Sequence, residues 1–81
     1  MDALPGRVKT VSPHQRTLGR NIARLRNAAK LTQERLAERA EIHWRYLQKV
    51  EAGHAEVSLA VLIRLRKALN CPWPAVLRGI S

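Results

Sequence analysis

The segment from Leu31 to Gly53 constrains this chain more than any other stretch. Its apolar residues fall into two short sets at helical spacing. Leu36, Ala37 and Ala40 form the first, and Leu47 and Val50 the second, with Ile42 between them. That is the periodicity of two short helices joined by a tight turn.

The rest of the chain must supply a core for this unit. Eighty-one residues make one small domain, and hydrophobic residues are 46% of it, enough for a compact core. There is no Phe, and the only aromatic residues are Trp44, Trp73 and Tyr46, so the core is expected to be aliphatic. A core this small leaves only a few kcal/mol of net stability, and oligomerisation is a common supplement.

Charge narrows the partner. Fifteen Lys and Arg stand against six Asp and Glu, a formal net charge of +9. Such an excess repels itself in the folded state and is usually offset by a polyanion. Nucleic acid is the commonest polyanion, ahead of an anionic membrane surface. Cys71 is the sole cysteine, so no intrachain disulfide forms and a reducing cytoplasmic setting is compatible. The apolar run Leu59–Ile63 is too short to span a bilayer, and the N-terminus does not read as a signal peptide. His14, His43, His54 and Cys71 lack the spacing of metal ligands. A Gly-rich phosphate loop and a nucleophile elbow are also missing. No enzyme, metal or cofactor is expected.

Residues 1–11, with Pro5, Gly6, Arg7 and Lys9, read as a mobile basic arm. It is either a frayed terminus or a segment that touches phosphate or the minor groove. Residues 12–81 read as the domain. Ser12-Pro-His-Gln15 has the form of a capping box with Pro13 at the first helical position. The first helix runs to about Ala29, with Leu18, Ile22, Leu25 and Ala29 on one face and Arg16, Arg20 and Arg24 elsewhere. Gly19 weakens it by roughly 1 kcal/mol relative to Ala. Thr32 caps a helix from Gln33 to about Ala40, Glu41–His43 is the turn, and a third helix runs from Trp44 to about Ala52. Gly53 suits the left-handed residue that follows. Ser58 caps a helix from Leu59 to Leu69, where Asn70 and Pro72 stop it. Pro74 opens a short last helix with Val76 and Leu77. The fold class is all-α, a bundle of about five helices.

Two short helices and a tight turn on a basic chain form a helix-turn-helix, whose second helix can enter the major groove of DNA. Around it stand Leu18-Gly-Arg-Asn-Ile22, Leu25-Arg26, Leu31-Thr-Gln33, Leu36-Ala37, Tyr46-Leu47, Val50-Glu51, Gly53, Ser58-Leu59, Leu62 and Ala68-Leu69. By these residues the chain resembles the Cro/lambda-repressor-like (XRE-like) helix-turn-helix family over about residues 18–77. The resemblance implies a transcriptional regulator of double-stranded DNA, a repressor, autoregulator or restriction-modification controller acting as a homodimer on a palindromic operator. The other readings are the DNA-binding antitoxin of a toxin–antitoxin pair and a protein-binding adaptor. A toxin or a polymerase subunit would be the protein partner.

The resemblance also implies residue roles. Base contacts fall to Trp44, Arg45 and Lys49 on the recognition helix; Arg45 suits guanine O6 and N7. Phosphate contacts fall to Gln33, His43, Tyr46 and Arg24, with helix capping the stronger role for His43. Trp44 either presses on thymine methyls or folds back over the domain. Tyr46 either reaches a phosphate or only packs. Arg26 and Glu51 match a buried ion pair between the first and third helices. Trp73, Val76, Leu77 and Ile80 are the expected dimer interface. Relatives often carry Gly at the positions of Lys30, Glu41 and Asn70, where φ is positive. Either Lys30 and Glu41 bear the strain or the turns differ. Arg66 stands where relatives have a small buried residue. It either snorkels outward or competes with Arg26 for Glu51.

Overall fold

A computed structural model describes residues 12–80, so the expected arm at 1–11 lies outside the described residues. Among the described residues the chain forms five helices and no strand: α1 (Pro13–Ala28), α2 (Gln33–Ala40), α3 (Trp44–Glu51), α4 (Leu59–Leu69) and α5 (Trp73–Val76). Each start has a local cause. Ser12 Oγ accepts from the His14 amide at 3.1 Å, and Gln15 returns a bond to the Ser12 amide at 2.9 Å. Thr32 and Ser58 hydroxyls accept from the Arg35 and Val61 amides. These side chains satisfy amides that have no partner within the helix. The last helix begins one residue earlier than Pro74 suggests, at Trp73 after Pro72.

The helix ends share one device. The amides of Leu31, Ile42, His54 and Cys71 each bond the carbonyl five residues back, on Arg26, Ala37, Lys49 and Arg66. This closing bond needs a left-handed residue just before it. Lys30, Glu41 and Asn70 adopt it with φ of 60°, 58° and 52°, and Gly53 with 80°. Lys30 and Glu41 therefore bear the strain. Leu31, Ile42 and Cys71 then tuck against the core, which offsets that strain. Burial pushes the Cys71 thiol above its usual range, with the Arg66 charge acting weakly against it.

Ile22, Leu36, Ala37, Ala40, Leu47, Val50, Leu65 and Leu69 form the aliphatic core. α2 packs on α4 and α3, and α1 packs on α3, α5 and α4. The α1–α3 crossing is close at Gly19. A β-carbon at Gly19 would sit on the Val50 carbonyl oxygen and 2.8 Å from that of Glu51. Gly19 is thus a packing residue whose helical penalty is the lesser term. Nearby, a β-carbon at Gly53 would lie 2.9 Å from the Arg16 α-carbon.

Polar bonds fasten the remaining helices. Buried Asn21 donates from Nδ2 to the carbonyls of Val76 and Arg78, both at 2.8 Å, and so holds α5 on α1. Arg64 Nε donates to the Ala40 carbonyl at 3.0 Å, linking α4 to the end of α2. Arg66 does not compete for Glu51. Its guanidinium lies 5.0 Å from the Trp73 ring centroid and donates to the Cys71 carbonyl.

Two substitutions should move stability in opposite directions. Gly19→Ala improves helix propensity by about 1 kcal/mol, yet should destabilise by roughly 2 kcal/mol, because the methyl forces α1 off α3. Glu41→Gly should stabilise by about 0.5–1 kcal/mol, since relief of left-handed strain exceeds the added freedom of the unfolded chain. Urea midpoints decide both. A stabilised Gly19→Ala would refute the tight crossing.

Candidate nucleic-acid interface

The position of α3 is set by the carboxylate of Glu51. Arg26 of α1 grips it with two bonds, Nε to Oε2 at 2.7 Å and Nη2 to Oε1 at 3.1 Å. The same guanidinium donates from Nη1 to the Leu31 carbonyl at 2.8 Å. Gln33, first in α2, donates from Nε2 to Glu51 Oε1 at 2.9 Å. One carboxylate thereby joins α1, α2 and α3. The pair is largely withdrawn from water, with side-chain exposures of 14% and 6%. Both charges are met by hydrogen bonds, which is the condition for a buried pair to persist.

The Gln33 carboxamide is therefore directed inward, a role the sequence reading missed. Spacing within a single helix could not reveal it, because its partner lies eighteen residues away. Thr32 caps α2 through the Arg35 amide alone. What α2 offers outward at this end is its first backbone amides and the positive end of its dipole.

Leu47 and Val50 turn α3 inward, with exposures of 0% and 1%. At about 100° per residue, the opposite face carries Arg45, Gln48 and Lys49, all exposed. Among the described residues no ion pair engages Arg45 or Lys49. His43 caps the helix, accepting at Nδ1 from the Arg45 amide at 3.0 Å. An imidazole that accepts at Nδ1 carries its proton at Nε2, which leaves that N–H as its outward donor.

Four of the expected contact residues are engaged within the domain, Trp44 by the second of its two expected placements, folded back over the domain. Trp44 is half-buried and packs against the core, with its indole nitrogen enclosed and unpartnered. At about 100° per residue it lies at the edge of the inward face, so it does not project beside Arg45. Tyr46 donates its hydroxyl proton to the Glu56 carbonyl at 2.7 Å. That bond ties α3 to the loop that follows, and the proton is not free for phosphate. Arg24 lies about 200° around α1 from Arg26. It donates to Asn21 Oδ1 at 2.9 Å and to the Ala75 carbonyl at 3.3 Å. Its guanidinium serves the α1–α5 side of the domain, away from α3. Val76 is fully buried and belongs to the core, so it is not available to a partner. Of its expected companions at an interface, Trp73 is half-buried beneath Arg66, Ile80 is half-buried, and Leu77 is 37% exposed. Leu59 is more exposed, at 68%. It stands three residues before Leu62, the ordinary spacing of a buried stripe, so nothing in the sequence marked it as exposed.

Among the described residues no cluster of three or more His, Cys, Asp or Glu could hold a metal, and no helix is long and apolar enough to cross a membrane. The Glu51 network makes a separate test possible. Glu51→Ala strands the Arg26 charge in a site with little water and should destabilise by about 3–5 kcal/mol. Thermal melting would show it, and an unchanged melting temperature would contradict the network's structural role.

Known proteins resemble this chain in sequence and in fold. A helix-turn-helix family model matches residues 22–76. The control protein C.SmaI of Serratia marcescens is 42% identical over 60 residues, which is 74% of this chain and 71% of that protein. The crystal structure of the restriction-modification controller protein C.AhdI from Aeromonas hydrophila superposes with a TM-score of 0.74 at 31% identity, over 76% of this chain and 94% of that one. The matched span contains the whole of α2, α3, α4 and α5 together with the Arg26–Glu51 pair. The chain belongs to the helix-turn-helix family.

Proposed function

We propose that this chain is a sequence-specific DNA-binding transcriptional regulator, the controller of a restriction-modification system. The observation that carries the reading is the outward face of α3. Arg45 and Lys49 stand exposed there, on a helix fixed from behind by Glu51. Rigid support matters, since base-edge hydrogen bonds tolerate little misplacement. The similarity to C.SmaI and C.AhdI, a control and a controller protein, supports the regulatory assignment.

In this reading α3 enters the major groove. Arg45 bonds guanine O6 and N7, and Lys49 contacts the same groove or its phosphates. The first amides of α2 and the His43 Nε2–H hold the backbone, as helix N-termini do. A net charge of +9 supplies the sequence-independent attraction. Residues 12–81 are the DNA-binding unit, and residues 1–11 add basic Arg7 and Lys9 to the chain. The chain acts in the cytoplasm on the nucleoid. It works as a homodimer, because a single helix reads few base pairs and two related by a two-fold axis read half-sites about 34 Å apart. The partner surface includes Leu77 and Ile80.

Selection from random duplex DNA at two salt concentrations tests this. A palindrome with half-sites about one turn apart is expected. Binding without a motif that vanishes with added salt would mean charge-driven contact only. On the selected operator, Arg45→Ala should lose about 1–3 kcal/mol and relax preference at one base pair. An equal loss on every sequence would remove Arg45 from base reading.

A further inference from the structure

We propose that Gln48 is a specificity-determining residue that reads an adenine beside the guanine read by Arg45. The inference rests on the DNA-binding reading above and deepens it. Three observations lead to it. First, Trp44 is withdrawn onto the core with its indole nitrogen enclosed, so the outward face of α3 has fewer reading groups than its sequence offers. Second, Gln48 is exposed, and among the described residues its carboxamide has no bond, in contrast to Gln33, which is committed to Glu51. Third, Gln48 stands three residues after Arg45, which places the two side chains as neighbours on the helix surface.

The chemistry then selects the base. A carboxamide presents one acceptor and one donor side by side. Adenine presents the complementary pair in the major groove, N6–H₂ and N7, whereas guanine presents two acceptors there. The carboxamide therefore matches adenine, and Arg45, with donors only, matches guanine. The helix rises about 4.5 Å over three residues, close to the roughly 3.4 Å between successive base pairs. Arg45 and Gln48 thus address adjacent or next-adjacent pairs. Each operator half-site should contain a G·C pair and an A·T pair at that spacing. Gln48 is neutral, so it adds nothing to the salt-dependent attraction, and its whole effect is on discrimination.

Base preference is measured by binding wild-type protein, Gln48→Ala, Gln48→Glu and Arg45→Ala to all single-pair variants of the selected operator. Gln48→Ala should lower discrimination for adenine at one position by about 5- to 100-fold, with an unchanged salt slope. Gln48→Glu, an acceptor only, should move that preference toward cytosine, whose N4 donates. Circular dichroism would confirm that the variants fold. If Arg45→Ala relaxes its guanine while Gln48→Ala leaves every preference intact, the Gln48 assignment falls and DNA reading by α3 stands. A Gln48→Ala loss equal on all sequences also overturns it. If the wild-type protein selects no motif, the DNA-binding reading itself fails, and this inference with it.

Discussion

The carboxylate of Glu51 joins three helices, and the geometry of the proposed interface follows from it. Arg26 and Gln33 reach it from α1 and α2, while Glu51 itself closes α3. A buried pair of this kind adds little net stability over an apolar substitute. It adds orientation instead, because two guanidinium bonds fix an angle that apolar contact leaves loose. Gly19 completes the arrangement by admitting the α3 carbonyls where any side chain would hold them off. Arg45 and Lys49 are then presented by a helix that cannot tilt without stranding a charge.

The same economy recurs at the helix ends. Lys30, Glu41 and Asn70 accept left-handed backbone so that the next residue can return to the core. Where that residue is apolar, as with Leu31 and Ile42, burial offsets the strain. Turn angle is thereby fixed by a local bond and a long-range contact together. The turn at Glu41 sets how α3 leaves α2, so this strain is part of the proposed interface and not a defect beside it.

Much of this was legible in the sequence. Periodicity and caps located α2 and α4 to the residue, since Thr32, Ser58 and Asn70 act through neighbours two or three positions away. The pairing of Arg26 with Glu51 came from family resemblance, not from spacing. What stayed hidden depends on partners distant in the chain. Asn21 looks like an ordinary polar helix residue until Val76 and Arg78 arrive beside it. The hydroxyl of Tyr46, open between phosphate and packing, and the guanidinium of Arg24, expected at phosphate, find the Glu56 and Ala75 carbonyls, acceptors that spacing does not reveal. Val76 was read as a partner surface because a short terminal helix gives no periodicity with which to separate its buried side from its exposed one.

In the proposed complex α3 lies in the major groove with Arg45 against guanine. Methylation interference on the selected operator tests it most directly, because methylation of guanine N7 blocks the major groove and methylation of adenine N3 blocks the minor groove. Interference at guanine N7 in two clusters about one helical turn apart is expected. Interference confined to adenine N3, or none at any base, would contradict it.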